Sequence, residues 1–175
     1  MKLHLGCANR YLKGWTNLDV KPGVADITDD ARSLRLIPDN SCEIIYTAHL
    51  VEHFGRKEVA HVLKVWFKKL KPNGILRLST PDFAKIIYIY QRGVGLDTVM
   101  GHIMGGQRDE YDYHKMIFDK KLLTNLLLAT GFKIVREWDW RKTEHSQYDD
   151  YSQAYLPHMD KENGVMMSLN LEAVK

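Results

Sequence analysis

The 175-residue chain is 45% hydrophobic and 27% charged, the balance of a folded soluble domain and not of a disordered segment. Its 25 basic residues against 22 acids leave a net charge of +3, too mild for a nucleic-acid-binding stripe. No apolar run approaches the roughly 18 residues needed to span a bilayer. With two cysteines, no disulfide framework and no signal-peptide pattern, the expectation is one domain, 1–175, in the reducing cytoplasm.

Leu3 and Leu5 open a buried strand that runs into the tight turn Gly6-Cys7-Ala8-Asn9. Trp15 and Leu18 lead a second strand that ends on Asp19. A loop through Lys21-Pro22-Gly23 is followed by a short apolar piece, 24–27, a polar stretch to Arg35, and a turn at Pro38-Asp39-Asn40-Ser41. Residues 43–47 read as another buried strand. Val59, Val62, Leu63, Trp66, Phe67 and Leu70 recur at helical spacing and predict an amphipathic helix over 57–70, with Lys64, Lys68, Lys69 and Lys71 near its C-terminal end, where positive charge suits the dipole. Lys71-Pro72-Asn73-Gly74 is expected to stop that helix before a strand at 75–79 and a helix at about 81–91.

Residues 93–116 have glycines and no clear period, and read as an inserted loop or short helices. Asp119 is placed to cap a helix over 120–130, with Gly131 at the C′ position. A strand at 132–138 follows. Met167, Leu169, Leu171 and Ala173 alternate with polar neighbours in a last strand. Alternating strands and helices imply a mainly parallel, helix-covered sheet. A strand, a close turn and a second strand tipped by one carboxylate suit a nucleoside-bearing cofactor, with Asp19 accepting from the ribose hydroxyls in charge-assisted bonds. A turn glycine and a capping acid are the plainer uses of Gly6 and Asp19.

The order of these pieces resembles class I S-adenosylmethionine-dependent methyltransferases along nearly the whole chain. Leu3-His4-Leu5-Gly6-Cys7-Ala8-Asn9 looks like that family's first motif, with Ala8 in place of its second glycine. Asp30-Ala31 before Ile37-Pro38-Asp39-Asn40-Ser41, the segment His49 to His53, Leu70-Lys71-Pro72-Asn73-Gly74 and Leu126 to Phe132 look like its later signatures. The tail, at 149–152 and 158–164, resembles a bacterial subgroup linked with polysaccharide or sugar modification. The resemblance implies a Rossmann-like, mainly parallel seven-stranded sheet with helices on both faces and an antiparallel last strand. The N-terminal helix is expected to be reduced or absent, and Asp19 follows Gly6 by only thirteen positions, so the first crossover helix is expected to be very short. It also implies S-adenosyl-L-methionine as cofactor, held by Gly6, Cys7, Asp19, Asp30, Ala31, Thr47, Ala48 and His49. Asp26 competes with Asp30 for the adenine. Cys7 reads as a packing residue and not as a nucleophile.

The expected reaction is methyl transfer to a small-molecule or glycan acceptor, a sugar hydroxyl first, with 93–118 and 139–165 as substrate-side insertions. An alcohol must lose a proton as it attacks, which points to His114 as general base and Asp112 as its orienter. His145, Asp150, Tyr151 and His158 form a second polar aromatic set, suited to a sugar or to homodimer contacts. A module that binds the cofactor without chemistry is the alternative. His49-x-x-Glu52-His53 also spells H-x-x-E-H, the pattern of an inverted zinc peptidase, but no third ligand is apparent and His49 directly follows a strand, so no metal is expected. His53 is expected to support the pocket floor or to pack behind it, with His49 nearer the cofactor.

Overall fold

The computed structural model describes all residues, 1–175. The strands β1 (Lys2–Leu5), β2 (Thr16–Asp19), β3 (Ile27–Thr28), β4 (Cys42–Ala48), β5 (Leu70–Pro81) and β6 (Ile134–Glu137) share one sheet with β9 (Ser168–Val174), while β7 (Tyr155–Leu156) and β8 (Val165–Met166) form a separate ribbon. The sheet order is β3-β2-β1-β4-β5-β9-β6. The first five are parallel, and β9 inserts antiparallel between β5 and β6. Strand order reverses between β1 and β4, so a crevice opens there at the carboxyl ends, where open α/β sheets bind ligands.

The four helices are α1 (Val59–Lys69), α2 (Phe83–Tyr90), α3 (Leu96–Met104) and α4 (Lys120–Thr130). Val59, Val62, Leu63 and Trp66 of α1 and Leu123 and Leu127 of α4 join Leu3, Leu5, Ile45, Leu76 and Leu78 in the main core. Asp119 caps α4 by accepting from the Leu122 amide at 2.7 Å, and Gly131 closes it at φ 119°. Both signals were legible in the sequence. The opposite face of the sheet carries Leu12, Trp15, Ile44, Tyr46 and Trp138, covered by the segment 139–154 with its two short 3-10 turns. The α2 and α3 pair packs on the β7–β8 ribbon through Ile86, Ile89, Val99, Leu156 and Val165.

Two local expectations change. The β1–β2 connection, residues 6–15, contains no helix at all, because its backbone is tied instead by Asn17. That side chain accepts from the Leu12 amide at 2.9 Å and donates to the Leu12 and Trp15 carbonyls. Residues 71–74 do not interrupt the chain as a separate turn. Leu70 already pairs with Cys42, a register shift absorbs the next residues, and Asn73 and Gly74 bond to Lys175 at the end of β9.

Candidate active site

A single large cleft of about 1000 Å³ opens at the carboxyl ends of β1, β2 and β4, at the upper end of the range for small-molecule sites and roomy for a nucleoside cofactor beside an acceptor. One wall is built by Gly6, Ala8, Asp19, Asp30 and Ala31, and the other by His49, His53, His102, His114 and Tyr151.

On the first wall, Gly6 holds φ 64° directly after β1, and a Cβ there would press on the Leu50 side chain at 3.1 Å. Ala8 follows at φ 42°, a left-handed conformation that L-residues adopt at a cost. Asp19 explains why it persists. The Asp19 carboxylate accepts from the Ala8 amide at 2.8 Å through one oxygen and from the Lys21 amide at 2.9 Å through the other. Each oxygen keeps a second lone pair, so the group remains able to accept two hydroxyl protons. The Cys7 side chain is buried, and burial pushes its thiol up to about 11, which leaves it protonated and inert.

Asp30 and Ala31 both border the cleft. The Asp26 carboxylate is engaged elsewhere, accepting from the Tyr11 hydroxyl and from the backbone and side chain of Asn17, and it does not line the cleft. Of the two acids, Asp30 alone lines the cleft. Thr47 is a correction: it is wholly buried within the ladder, paired with Leu5 and Leu78, and contributes nothing to the cleft. Ala48 and His49, the next residues out, do line it. His49 sits at φ 52°, stacked on Tyr151 with ring centroids 5.3 Å apart.

On the second wall, His114 is only 7% exposed at its side chain, and burial pushes its imidazole down to about 4. Its Nδ1 lies 3.1 Å from the His102 carbonyl, which can only accept, so Nδ1 carries the proton and Nε2 is left with a free lone pair. Asp112 is not its orienter. The Asp112 carboxylate accepts from Arg108 Nε at 2.6 Å instead, and the His102 carbonyl does the orienting. His53 is arranged like His114, with Nδ1 3.1 Å from the Tyr113 carbonyl, and the two rings meet edge to face at 4.9 Å. Below them lies Glu52, 1% exposed, whose carboxyl burial raises to about 8. Neither Glu52 nor His102 figured among the expected site residues. The H-x-x-E-H spelling was the available signal for Glu52, but nothing local marks His102.

The peptidase geometry is absent. Val51–His53 is a single 3-10 turn, and His49 stands in left-handed backbone before it, so the two histidines do not share a helix face. Of the second polar set, Tyr151 and Asp150 reach the cleft, His158 is exposed away from it, and His145 is buried among Tyr46, Trp15 and Trp138. The segment 93–118 supplies much of the second wall, while 139–165 supplies little of it and chiefly covers the sheet.

Residues 8–78 match the family described as "Methyltransferase domain". No curated protein matches the chain. Among solved structures, an S-adenosylmethionine-dependent methyltransferase from Archaeoglobus fulgidus superposes with a TM-score of 0.61 at 16% identity, covering 99% of this chain and 85% of that one. An enzyme from Mesorhizobium loti gives 0.58 at 17% identity over 99% and 90%, and one from Thermotoga maritima, described as a possible histamine N-methyltransferase, gives 0.61 at 13% over 99% and 81%. The chain shares the fold of these S-adenosylmethionine-dependent methyltransferases, and its residues 8–78 match the methyltransferase-domain family. The family match begins after β1 and Gly6 and ends within β5, so it takes in Ala8, Asp19, Asp30 and Ala31 of the first wall and stops short of the residues 93–118 on the second. The methyltransferase cofactor fits the first wall, where Asp19 is a buried carboxylate with lone pairs open to the cleft beside the close-approach turn at Gly6. When bound, S-adenosylmethionine supplies a sulfonium-borne methyl group for displacement. No helix is long and apolar enough to cross a membrane.

Proposed function

We propose that the chain is an S-adenosylmethionine-dependent methyltransferase that acts on a hydroxyl of a sugar or glycan acceptor. In this reading Asp19 holds the ribose, Asp30 and Ala31 border the adenine, and the Gly6-Cys7 and Ala48-His49 backbones border the methionine part. The acceptor enters against His53, His114 and Tyr151. What supports a hydroxyl is the state of the second wall. Burial keeps the imidazoles of His49, His53, His102 and His114 low, so they are neutral at pH 7, and His114 turns an unprotonated Nε2 inward. A hydroxyl losing its proton needs such a group, whereas an amine reacts once it is desolvated. His114 is the residue that meets that proton, and Tyr151 offers a ring on which a sugar face can stack. Both cysteines are free, which suits a reducing compartment such as the cytoplasm.

The test is a methyl-transfer assay over sugars, glycans and amines, run with the wild-type protein and with His114→Ala. Methylation of a sugar hydroxyl, lost in the variant while cofactor affinity is kept, is the expected result. Transfer only to amines, or full turnover by His114→Ala, overturns the reading.

A further inference from the structure

The inner end of the second wall is assembled as a ligand set that the reading above leaves incomplete. One oxygen of Glu52, Oε2, accepts from the Thr80 hydroxyl at 3.0 Å. The other, Oε1, is buried with no hydrogen-bond partner, although His114 Nε2 lies 3.8 Å away and His49 Nδ1 3.5 Å away. Those nitrogens cannot donate to it. His114 carries its proton on Nδ1, toward the His102 carbonyl. His49 Nε2 lies 2.9 Å from Ser168 Oγ, whose own proton goes to the Tyr151 carbonyl, so His49 donates from Nε2 and its Nδ1 is bare. Lone pairs therefore face the Glu52 carboxyl oxygen at 3.5 and 3.8 Å. The single proton that burial retains on that carboxyl can be shared with only one of them, whereas a cation that displaces it is shared by several. The arrangement lacks a positive centre.

We infer that Glu52, His53 and His114 bind one divalent first-row transition ion, through Glu52 Oε1 and the Nε2 atoms of the two histidines. The ligand atoms of the three residues already lie within 4.8 Å of one another. Ligands bound at 2.0–2.2 Å stand roughly 3–4 Å apart, so a closing of about 1 Å completes the set. Both imidazoles have their Nδ1–H tied to a backbone carbonyl, His53 to Tyr113 and His114 to His102, which is how metal-ligating histidines are usually oriented. Two imidazoles and one carboxylate suit zinc, iron, cobalt or manganese, whereas magnesium and calcium prefer oxygen alone. Three protein ligands leave positions free, and His53 and His114 border the cleft, so those positions open toward the acceptor. Ion binding does not depend on what the acceptor is. If the acceptor is a hydroxyl, as proposed above, its oxygen takes an open position, the ion lowers its pKa, and with the His114 lone pair on the ion the proton passes to the bare Nδ1 of His49, which also borders the cleft.

The test is equilibrium binding of metal alone. Protein stripped by chelator is titrated with Zn²⁺ and with Co²⁺, the latter followed by its visible absorption. One ion per chain is expected, with affinity falling at least tenfold in Glu52→Gln and in His53→Ala. His53 is only partly buried, so the second variant folds even if the first does not. His61→Ala, an exposed histidine on α1, is expected to bind as the wild type does. Less than one ion per chain, or equal affinity in His53→Ala and His61→Ala, overturns the site. A failed hydroxyl reading shows instead in the acceptor assay, and leaves the binding isotherm unchanged.

Discussion

The indole nitrogen of Trp66 donates to the Ala31 carbonyl at 2.7 Å, joining the buried face of α1 to the loop that borders the cleft. Trp66 has no exposed surface, and it also meets Phe54 edge to face at 5.9 Å. The loop from 29 to 37 has no strand or helix of its own. Its shape rests on this bond, on Asp29 accepting from the Asp30 and Leu36 amides, and on Asp30 accepting from the Arg32 amide. Trp66→Phe keeps most of the packing and leaves a buried carbonyl unpaired, a cost of about 1–3 kcal/mol. Cofactor affinity is expected to fall severalfold with it. Urea unfolding and calorimetric titration with adenosylhomocysteine check both, and a variant unchanged in the two measurements would separate α1 from the loop.

Asp19 joins the two strands of the first wall and faces the cleft. Asp19→Ala removes the acceptor of the Ala8 and Lys21 amides as well as the proposed ribose contact, so S-adenosylmethionine affinity is expected to drop at least tenfold, about 1.4 kcal/mol. Asp19→Asn retains one carbonyl oxygen and is expected to lie between the two. Calorimetry decides this, and an unchanged dissociation constant for Asp19→Ala would remove the residue from the site.

Gly105 ends α3 at φ 79°, and a Cβ there would lie 2.4 Å from the Asp112 carbonyl oxygen. Backbone cannot yield as a side chain does. The segment beyond it is held by Gln107 donating to that same carbonyl and by His114 donating its amide to the Met104 carbonyl. Gly105→Ala is expected to add about 1–3 kcal/mol of local strain and to displace His114, lowering turnover while cofactor affinity stays near wild type. Equal losses in affinity and turnover would place the damage elsewhere.

The strand and helix pattern was legible because burial is written periodically, in Leu3 and Leu5, in Val59 to Trp66, and in Leu169 to Ala173. So were Asp119, whose side chain accepts from an amide three residues on, and Gly131, whose own backbone conformation closes the helix. The first wall was legible for the same reason, since Gly6 and Asp19 sit at the ends of adjacent strands. The second wall was not. His53 and His114 are far apart in sequence, and His114 takes its orientation from the His102 carbonyl, an atom that every residue possesses. Nearness in sequence suggested Asp112 as the partner of His114, but Arg108 is nearer in space and charged. Thr47 was placed one residue too far into the cleft, because strand-end position alone does not say where the ladder stops.

His145 makes the stability of the fold sensitive to acid. It is 2% exposed, packed 4.1 Å from the Tyr46 ring and edge-on to Trp15 and Trp138, and its Nε2 has no partner. Burial holds its imidazole well below the ordinary 6.5, and the nearby Asp150 offsets only part of that. The unfolded chain therefore binds the proton first. Stability is fully present above pH 6.5 and is lost as the pH falls toward the folded value, by about 1–2 kcal/mol at pH 5. His4, also stacked on Tyr46 and also lowered by burial, acts in the same direction. His145→Phe keeps a flat ring in the aromatic cluster and forfeits no hydrogen bond at Nε2. Its melting temperature is expected to fall less than the wild type's between pH 7 and pH 5, with His4 and the histidines of the cleft supplying the slope that remains. Scanning calorimetry across that range measures the difference, and parallel curves for the two proteins would show that His145 is not a source of the acid sensitivity.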